Sequence, residues 1–257
     1  MASKKQRQRQ LARDALDRRF QRQAERDRRA KQWAVGVIVA VLVIGIGFGG
    51  AALAGVFKSP AKSAPTAVPV ACVYTKSGTA ARKVSLPPAT TYRTASYQAT
   101  IATNRGNIVI NLLNSKAPCT VNSFVSLADQ DYFNNTPCHR LTTAPSGIYV
   151  LQCGDPTGTG TGGPGYVFNS ENLTGASYTA GTVAMANTGQ PDSNGSQFFL
   201  VYKNSPLPAD YTPFGTIVSG LNIIQNVAKA GSDNSNGKGD GHPKEKVEID
   251  SVTIEKT

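Results

Sequence analysis

Apolar and polar residues are distributed so unevenly that the chain divides into regions before any composition is counted. From Ala34 to Phe57 it reads AVGVIVAVLVIGIGFGGAALAGVF, without one charged side chain. At about 1.5 Å rise per residue, a helix of this length spans the roughly 30 Å hydrocarbon core of a bilayer. Trp33 stands at its edge, where an amphipathic ring favours the membrane interface. The pattern therefore predicts one transmembrane helix over residues 33–57. Ala52-Leu53-Ala54 also fits a small-x-small cleavage site. The length of both the apolar run and the region before it favours an uncleaved anchor.

Beyond residue 95 the apolar runs become short and are punctuated by glycine. Residues 97–113 read as two strands joined at Asn104-Arg105-Gly106-Asn107, with Ile108 and Ile110 alternating after the turn. Pro118 then opens a helix, in which Val121, Phe124, Val125 and Ala128 recur at helical spacing. Runs at 148–151, 181–186 and 197–202 predict further strands, and residues 247–254 a closing one. A second helix over 221–230 buries Leu221, Ile224 and Val227 and stops at Gly231. Many short strands with two helices predict a mainly β, antiparallel barrel-like domain over residues 95–257. Residues 58–94 are rich in Pro, Ala, Ser and Thr and read as a tether holding that domain off the membrane.

Charge sharpens this division. The chain has 257 residues and a net charge of +11, but residues 1–32 hold 12 Lys or Arg against four Asp or Glu. That basic arm precedes the span, which predicts a cytoplasmic N-terminus and an extracytoplasmic C-terminal domain in a single-pass protein of the cell membrane. Its Lys and Arg residues suit anionic lipid head groups, each contributing about 1 kcal/mol near the surface. Charge alone is the whole support for nucleic-acid binding, so no nucleic-acid partner is expected.

Several chemical motifs fail on context. Gly158-Thr-Gly160-Thr-Gly-Gly163 satisfies G-x-G-x-x-G, yet Pro164-Gly165 follows where a phosphate-binding helix must begin. The stretch 231–241 resembles a calcium loop, but Lys238 falls where such a loop needs glycine and Lys244 where it needs a bidentate glutamate. Both read as surface loops. Cys138-His139 would point to opposite faces of a strand, so they form no thiol–imidazole pair. The four cysteines, Cys72, Cys119, Cys138 and Cys153, lack C-x-x-C spacing, so no zinc site is expected and two disulfides are permitted outside the cytoplasm. Three connectivities exist. Cys138 with Cys153 suits neighbouring strands, and Cys72 with Cys119 would then clip the tether to the domain.

What survives is a series of five segments: Cys138-His139-Arg140, Leu151-Gln152-Cys153-Gly154-Asp155, Ala184-Met185-Ala186-Asn187, Asn194-Gly195-Ser196-Gln197-Phe198-Phe199 and Pro213-Phe214-Gly215. In order and type these resemble the cyclophilins, peptidyl-prolyl cis-trans isomerases. The resemblance covers about residues 97–257 and is closest to bacterial members over 154–166. It implies an eight-stranded antiparallel barrel capped by two helices, acting as a monomer on proline-containing polypeptides with neither cofactor nor metal. Residue by residue, it implies that Arg140 is the catalytic arginine and that Gln152 supports it. Ala186 and Asn187 would line the groove, the Asn187 backbone bonding the substrate chain. Gln197 would be a polar groove contact, Phe199 the floor of the proline pocket and Leu207 another wall.

The chemistry suits these residue types. Rotation about an X–Pro bond faces a barrier of about 18–20 kcal/mol because the amide is a partial double bond. Twisting it makes the prolyl nitrogen a better acceptor, which a fixed guanidinium meets more strongly than it meets the planar amide. Departures from the family pattern bear on substrate preference. Tyr149 stands about where many members have a pocket Phe, and Val150 where they have Met. Cys153 replaces a glycine, while Pro206 and Tyr211 stand where eukaryotic members carry Trp and His. Those last two changes imply weak cyclosporin binding. The alternative reading is a non-enzymatic proline-binding chaperone or scaffold using the same groove.

Overall fold

Side chains that point alternately into and out of a common core build most of the molecule. The computed structural model describes residues 68–257, so the basic arm, the expected membrane span and the start of the tether lie outside the described residues. Among the described residues no helix is long and apolar enough to cross a membrane.

Three short strands come first: β1 (Pro69–Ala71), β2 (Tyr74–Lys76) and β3 (Thr90–Tyr92). The long hairpin β4 (Tyr97–Thr103) and β5 (Gly106–Leu112) follows, with Ala99, Ile101, Ile108, Ile110 and Leu112 all buried on one face. Helix α1 (Pro118–Ala128) begins with proline, which is tolerated in the first turn because that N–H has no intrahelical partner. The Glu171 carboxylate caps it from a distance, accepting from Cys119 N at 3.2 Å and Thr120 N at 2.7 Å. The chain continues through β6 (Thr136–Pro137), β7 (Arg140–Thr142), a 3-10 turn at Ala144–Ser146, β8 (Val150–Cys153), β9 (Tyr166–Phe168), β10 (Thr182–Met185), β11 (Phe198–Val201) and β12 (Pro213–Ser219). Helix α2 (Leu221–Ala230), β13 (Asp240–Gly241) and β14 (Glu248–Lys256) complete it.

Ten of these strands form one antiparallel sheet in the order β13-β7-β8-β11-β10-β12-β5-β4-β14-β6. Its two ends are joined by a single stretch of chain. β6 pairs with β14, β7 pairs with β8, and only Cys138 and His139 lie between β6 and β7. The sheet is therefore curled. Ten pieces replace the expected eight because one strand is interrupted at those two residues and because the two-residue β13 adds an edge. The core within the curl is aromatic: Phe124 of α1 lies 5.1 Å from Phe133, 5.5 Å from Phe198 and 5.3 Å from Phe214, measured between ring centres.

The segment read as a tether is different from Pro69 onward. β1 pairs with β3, β2 pairs with β9, and Cys72 is bonded to Cys119 of α1. Backbone hydrogen bonds, the covalent link, Arg82 and the Tyr74 ring, edge-on to Tyr166 and Phe168, hold it to the domain, and these scattered contacts produce no apolar periodicity. Cys138 is bonded to Cys153 with Cα atoms 4.0 Å apart, so the two bridges have the connectivity considered from the sequence, the Cys72–Cys119 bridge clipping the tether to α1.

Candidate active site

One row of residues runs across four neighbouring strands. Arg140 on β7 lies opposite Gln152 on β8, which lies opposite Phe199 on β11, which lies opposite Ala184 on β10. Strand periodicity puts these side chains on one face. A guanidinium, a carboxamide and an aromatic ring thereby meet without any loop having to place them.

A hydrogen-bonded relay fixes the polar end of this row. Asp240 Oδ1 accepts from Arg140 Nε at 2.8 Å and Oδ2 accepts from Nη2 at 2.6 Å, a fork-on-fork ion pair. Arg140 Nη1 donates to Gln152 Oε1 at 3.2 Å. Gln152 Nε2 donates to Gln197 Oε1 at 2.9 Å, and Gln197 Nε2 donates to the carbonyls of Gly160 and Gly162, each at 2.9 Å. The glycine loop is itself wound around the buried Asp155 carboxylate, which accepts from the backbone N–H groups of Thr157, Gly160 and Gly162. Gly154, at φ +89, lets the strand end turn there, and a side chain on it would strike the Ser196 carbonyl.

The ionisation states follow from these partners. Hydrogen bonding to Asp240 raises the Arg140 pKa further, and the same bond holds the Asp240 carboxyl below the usual carboxylate range. For Asp155 burial opposes ionisation, but donors from Gly162, Thr157 and Gly160 outweigh it and depress the pKa. Burial pushes the His139 imidazole below its ordinary value. Residue pattern alone singles out neither aspartate: Asp240 sits in the stretch that reads as surface turns, and Asp155 stands in the sequence only as part of a motif.

A pocket of about 120 Å³, polar on the guanidinium side and apolar at Ile148, Val150, Phe199 and Leu207, opens beside Arg140. Arg140, Gln152, Ala186, Asn187, Phe199, Leu207 and Tyr211 line it, so seven of the nine candidate residues converge there. Phe199 is its buried base, with the Tyr211 ring edge-on at 5.5 Å. The loop carrying Leu207 and Tyr211 is pinned by Tyr178, whose hydroxyl donates to Tyr211 O at 2.7 Å and accepts from Tyr211 N at 3.0 Å. Asn187 Nδ2 adds a bond to Asp210 O at 2.8 Å. Gln197 lies in an adjoining groove of about 570 Å³ that shares Gln152, Ala186 and Asn187 with the pocket.

Tyr149 is the exception. Ile148 and Val150 line the pocket on either side of it in sequence, while Tyr149 lines a separate cavity on the far side of the strand. There the Lys203 ammonium lies 4.5 Å from its ring centre. Period-two alternation accounts for the difference: a residue next to a pocket-lining position points away from the pocket. Among the described residues no group of three or more His, Cys, Asp or Glu side chains is placed to hold a metal ion.

Comparison with known proteins is consistent with this geometry. Residues 98–254 match the family described as cyclophilin type peptidyl-prolyl cis-trans isomerase/CLD. The chain is 49% identical over 174 residues to a probable peptidyl-prolyl cis-trans isomerase B of Mycobacterium tuberculosis, covering 63% of this chain and 55% of that protein. It is 45% identical over 212 residues to the protein of the same description in Mycobacterium leprae, covering 76% of this chain and 70% of that one. The match thus spans little more than half of the M. tuberculosis relative. A crystal structure of a Cryptosporidium parvum cyclophilin type isomerase superposes with a TM-score of 0.56 at 31% identity, over 63% of this chain and 99% of that one. The matched stretch takes in the whole Arg140–Gln152–Gln197 relay, the pocket and both helices, and the chain belongs to the cyclophilin-type peptidyl-prolyl cis-trans isomerase family.

Proposed function

We propose that the protein is a membrane-anchored prolyl isomerase that accelerates X–Pro rotation in extracytoplasmic polypeptides, with Arg140 stabilising the twisted amide. One observation carries the reading. Of a guanidinium's five N–H groups, three are committed to Asp240 and Gln152, and the side chain lines a pocket of about 120 Å³ that also holds Phe199 and Leu207. The remaining N–H groups have no protein partner among the described residues. A donor held on two edges cannot follow the substrate. It gains most when the prolyl nitrogen becomes pyramidal and accepts, which lowers the barrier selectively. Phe199, Leu207 and Tyr211 would hold the ring while the preceding residue turns. Another cyclophilin type isomerase, that of C. parvum, has been solved in the presence of the dipeptide Ala-Pro, which fits such an occupant. The curl of the sheet fits the closed barrel expected of the family.

The location belongs to the same proposal. The apolar run from Ala34 to Phe57 would span the membrane, and the basic arm would remain cytoplasmic against anionic lipid. The two cystine bridges suit an oxidising compartment for the folded domain.

The test is a proline-peptide isomerisation assay on the full-length chain in detergent, wild type beside Arg140→Ala. A loss of about 100-fold or more in kcat/KM is expected, equivalent to about 2.7 kcal/mol of barrier. Wild-type rates retained by Arg140→Ala would refute the mechanism, and peptide binding without any acceleration by the wild type would identify a scaffold instead.

A further inference from the structure

The larger groove has a wall that the family's common stretch does not supply. Ser77, Gly78 and Thr79 line it together with Ala186, Asn187 and Gln197. These three residues lie well before residue 98, where the family match begins. They belong to a strap that runs from β2 across the glycine-rich loop. Ser77 N donates to Gly165 O at 3.0 Å and Ala81 N to Gly163 O at 2.8 Å. Gly165 has φ +79, and a Cβ on it would come within 3.1 Å of both the Ala80 backbone nitrogen and the Ala80 Cβ. The strap therefore rests directly on the loop whose carbonyls hold Gln197.

Both ends of the strap are fixed. Before it, β2 pairs with β9 and Cys72 is bonded to Cys119. After it, Arg82 Nη1 lies 2.8 Å from Asp131 O, 3.1 Å from Tyr132 O and 2.8 Å from Asn134 O, donating into the turn that follows α1. A segment anchored by a covalent bond on one side and a half-buried arginine bonded to three carbonyls on the other is a wall, not a mobile flap.

The larger groove shares Gln152, Ala186 and Asn187 with the proline pocket, so a chain seated with its proline in the pocket passes its neighbouring residues through the groove. We infer that residues 77–79 are a specificity-determining wall for the residues that flank the substrate proline on that side, an inference that rests on the prolyl-peptide reading of the site. The native wall presents a hydroxyl, a glycine and a second hydroxyl, with no charge. It therefore discriminates by width and hydrogen bonding and leaves the charge of the flanking residues unread.

The experiment gives that wall a charge. Thr79 is exposed, so Thr79→Lys and Thr79→Asp are accommodated without disturbing the strap's backbone bonds. Wild type and both variants of the full-length chain are assayed with two proline peptides that differ only in carrying Asp or Lys at the flanking positions. Their dissociation constants are measured in parallel by fluorescence anisotropy. The preference for the acidic over the basic peptide is expected to rise about three- to fivefold in Thr79→Lys and to fall by a similar factor in Thr79→Asp, as for an exposed ion pair. Both shifts should shrink as salt is raised. Preferences that stay within about 1.5-fold of wild type in both variants at low salt overturn the inference. A wild type that binds the peptides without isomerising them overturns the proposed activity alone, because the ratio of dissociation constants still decides the role of the wall. A wild type that binds neither peptide overturns both.

Discussion

Removing the Asp240 carboxylate should reduce turnover while leaving the fold and the grip on proline largely intact. The carboxylate holds Arg140 through two charge-assisted bonds of 2.8 and 2.6 Å, with the arginine side chain 34% and the aspartate 19% exposed. A fully solvated pair would be worth about 0–1 kcal/mol. This one is forked and partly shielded, so about 1.5–3 kcal/mol is the appropriate range. If that energy serves to hold the guanidinium in its reactive pose, Asp240→Ala lowers kcat by about 10- to 100-fold. KM should change little, because Phe199, Leu207 and Tyr211 are untouched. Asp240→Asn should recover only part of the loss, since an amide offers one acceptor where two donors are aimed and turns its own NH2 toward the other.

The pH dependence separates positioning from general stability. Arg140 depresses the folded-state pKa of Asp240, so the pair's contribution is complete above the unfolded value of about 3.9 and is lost as pH falls through the lowered one. Wild-type kcat should accordingly show no acid limb from Asp240 between about pH 5 and 8. Asp240→Ala should run parallel to it at a lower level over that window. Exchange-rate measurement on a proline peptide, with circular dichroism as the check on folding, provides the assay. A folded Asp240→Ala chain with wild-type kcat would refute the reasoning.

Two further outcomes concern stability. Burial lowers the His139 pKa, partly offset by Asp155, so below about pH 6.5 the unfolded chain binds a proton that the native imidazole resists. Stability should then fall by up to about 1.4 kcal/mol per pH unit until the folded pKa is reached, and urea melts of His139→Gln should show a flatter slope; equal slopes would count against it. The Cys72–Cys119 bridge closes a separation of 47 residues and the Cys138–Cys153 bridge one of 15. On chain entropy these are worth about 4 and about 3 kcal/mol. The Cys72→Ser/Cys119→Ser double variant should therefore melt well below wild type in urea, and an unchanged midpoint would mean that this bridge adds nothing to the fold.

The elements that could be read from the chain are those whose stability comes from burying one periodic face. Ile108 and Ile110 announce β5, Phe124 and Val121 announce α1, and Leu221 with Gly231 marks the limits of α2. Arg140, Gln152 and Gln197 were recognisable because each sits in a short run of fixed residue types, and the sheet register then brings those runs together. Tyr149 shows the limit of that approach. A motif match locates a residue to within one position, but a strand reverses its face at every position, so Val150 took the place in the pocket.

Asp240 and the strap were illegible for a different reason. The aspartate is 100 positions from the arginine it holds, in a stretch of Asn, Ser and Gly whose only local message is a turn. The strap's Pro, Ala, Ser and Thr have the composition of a linker, and what binds the segment is backbone hydrogen bonding, Arg82, the Tyr74 ring and a cystine. Both are cases in which a few specific contacts, made far away in sequence, decide the structure. Hydrophobic periodicity reports forces summed over many residues, so it misses contacts of this kind. In this protein they lie beside Arg140 and along the adjoining groove, where a few exact contacts matter more than buried area.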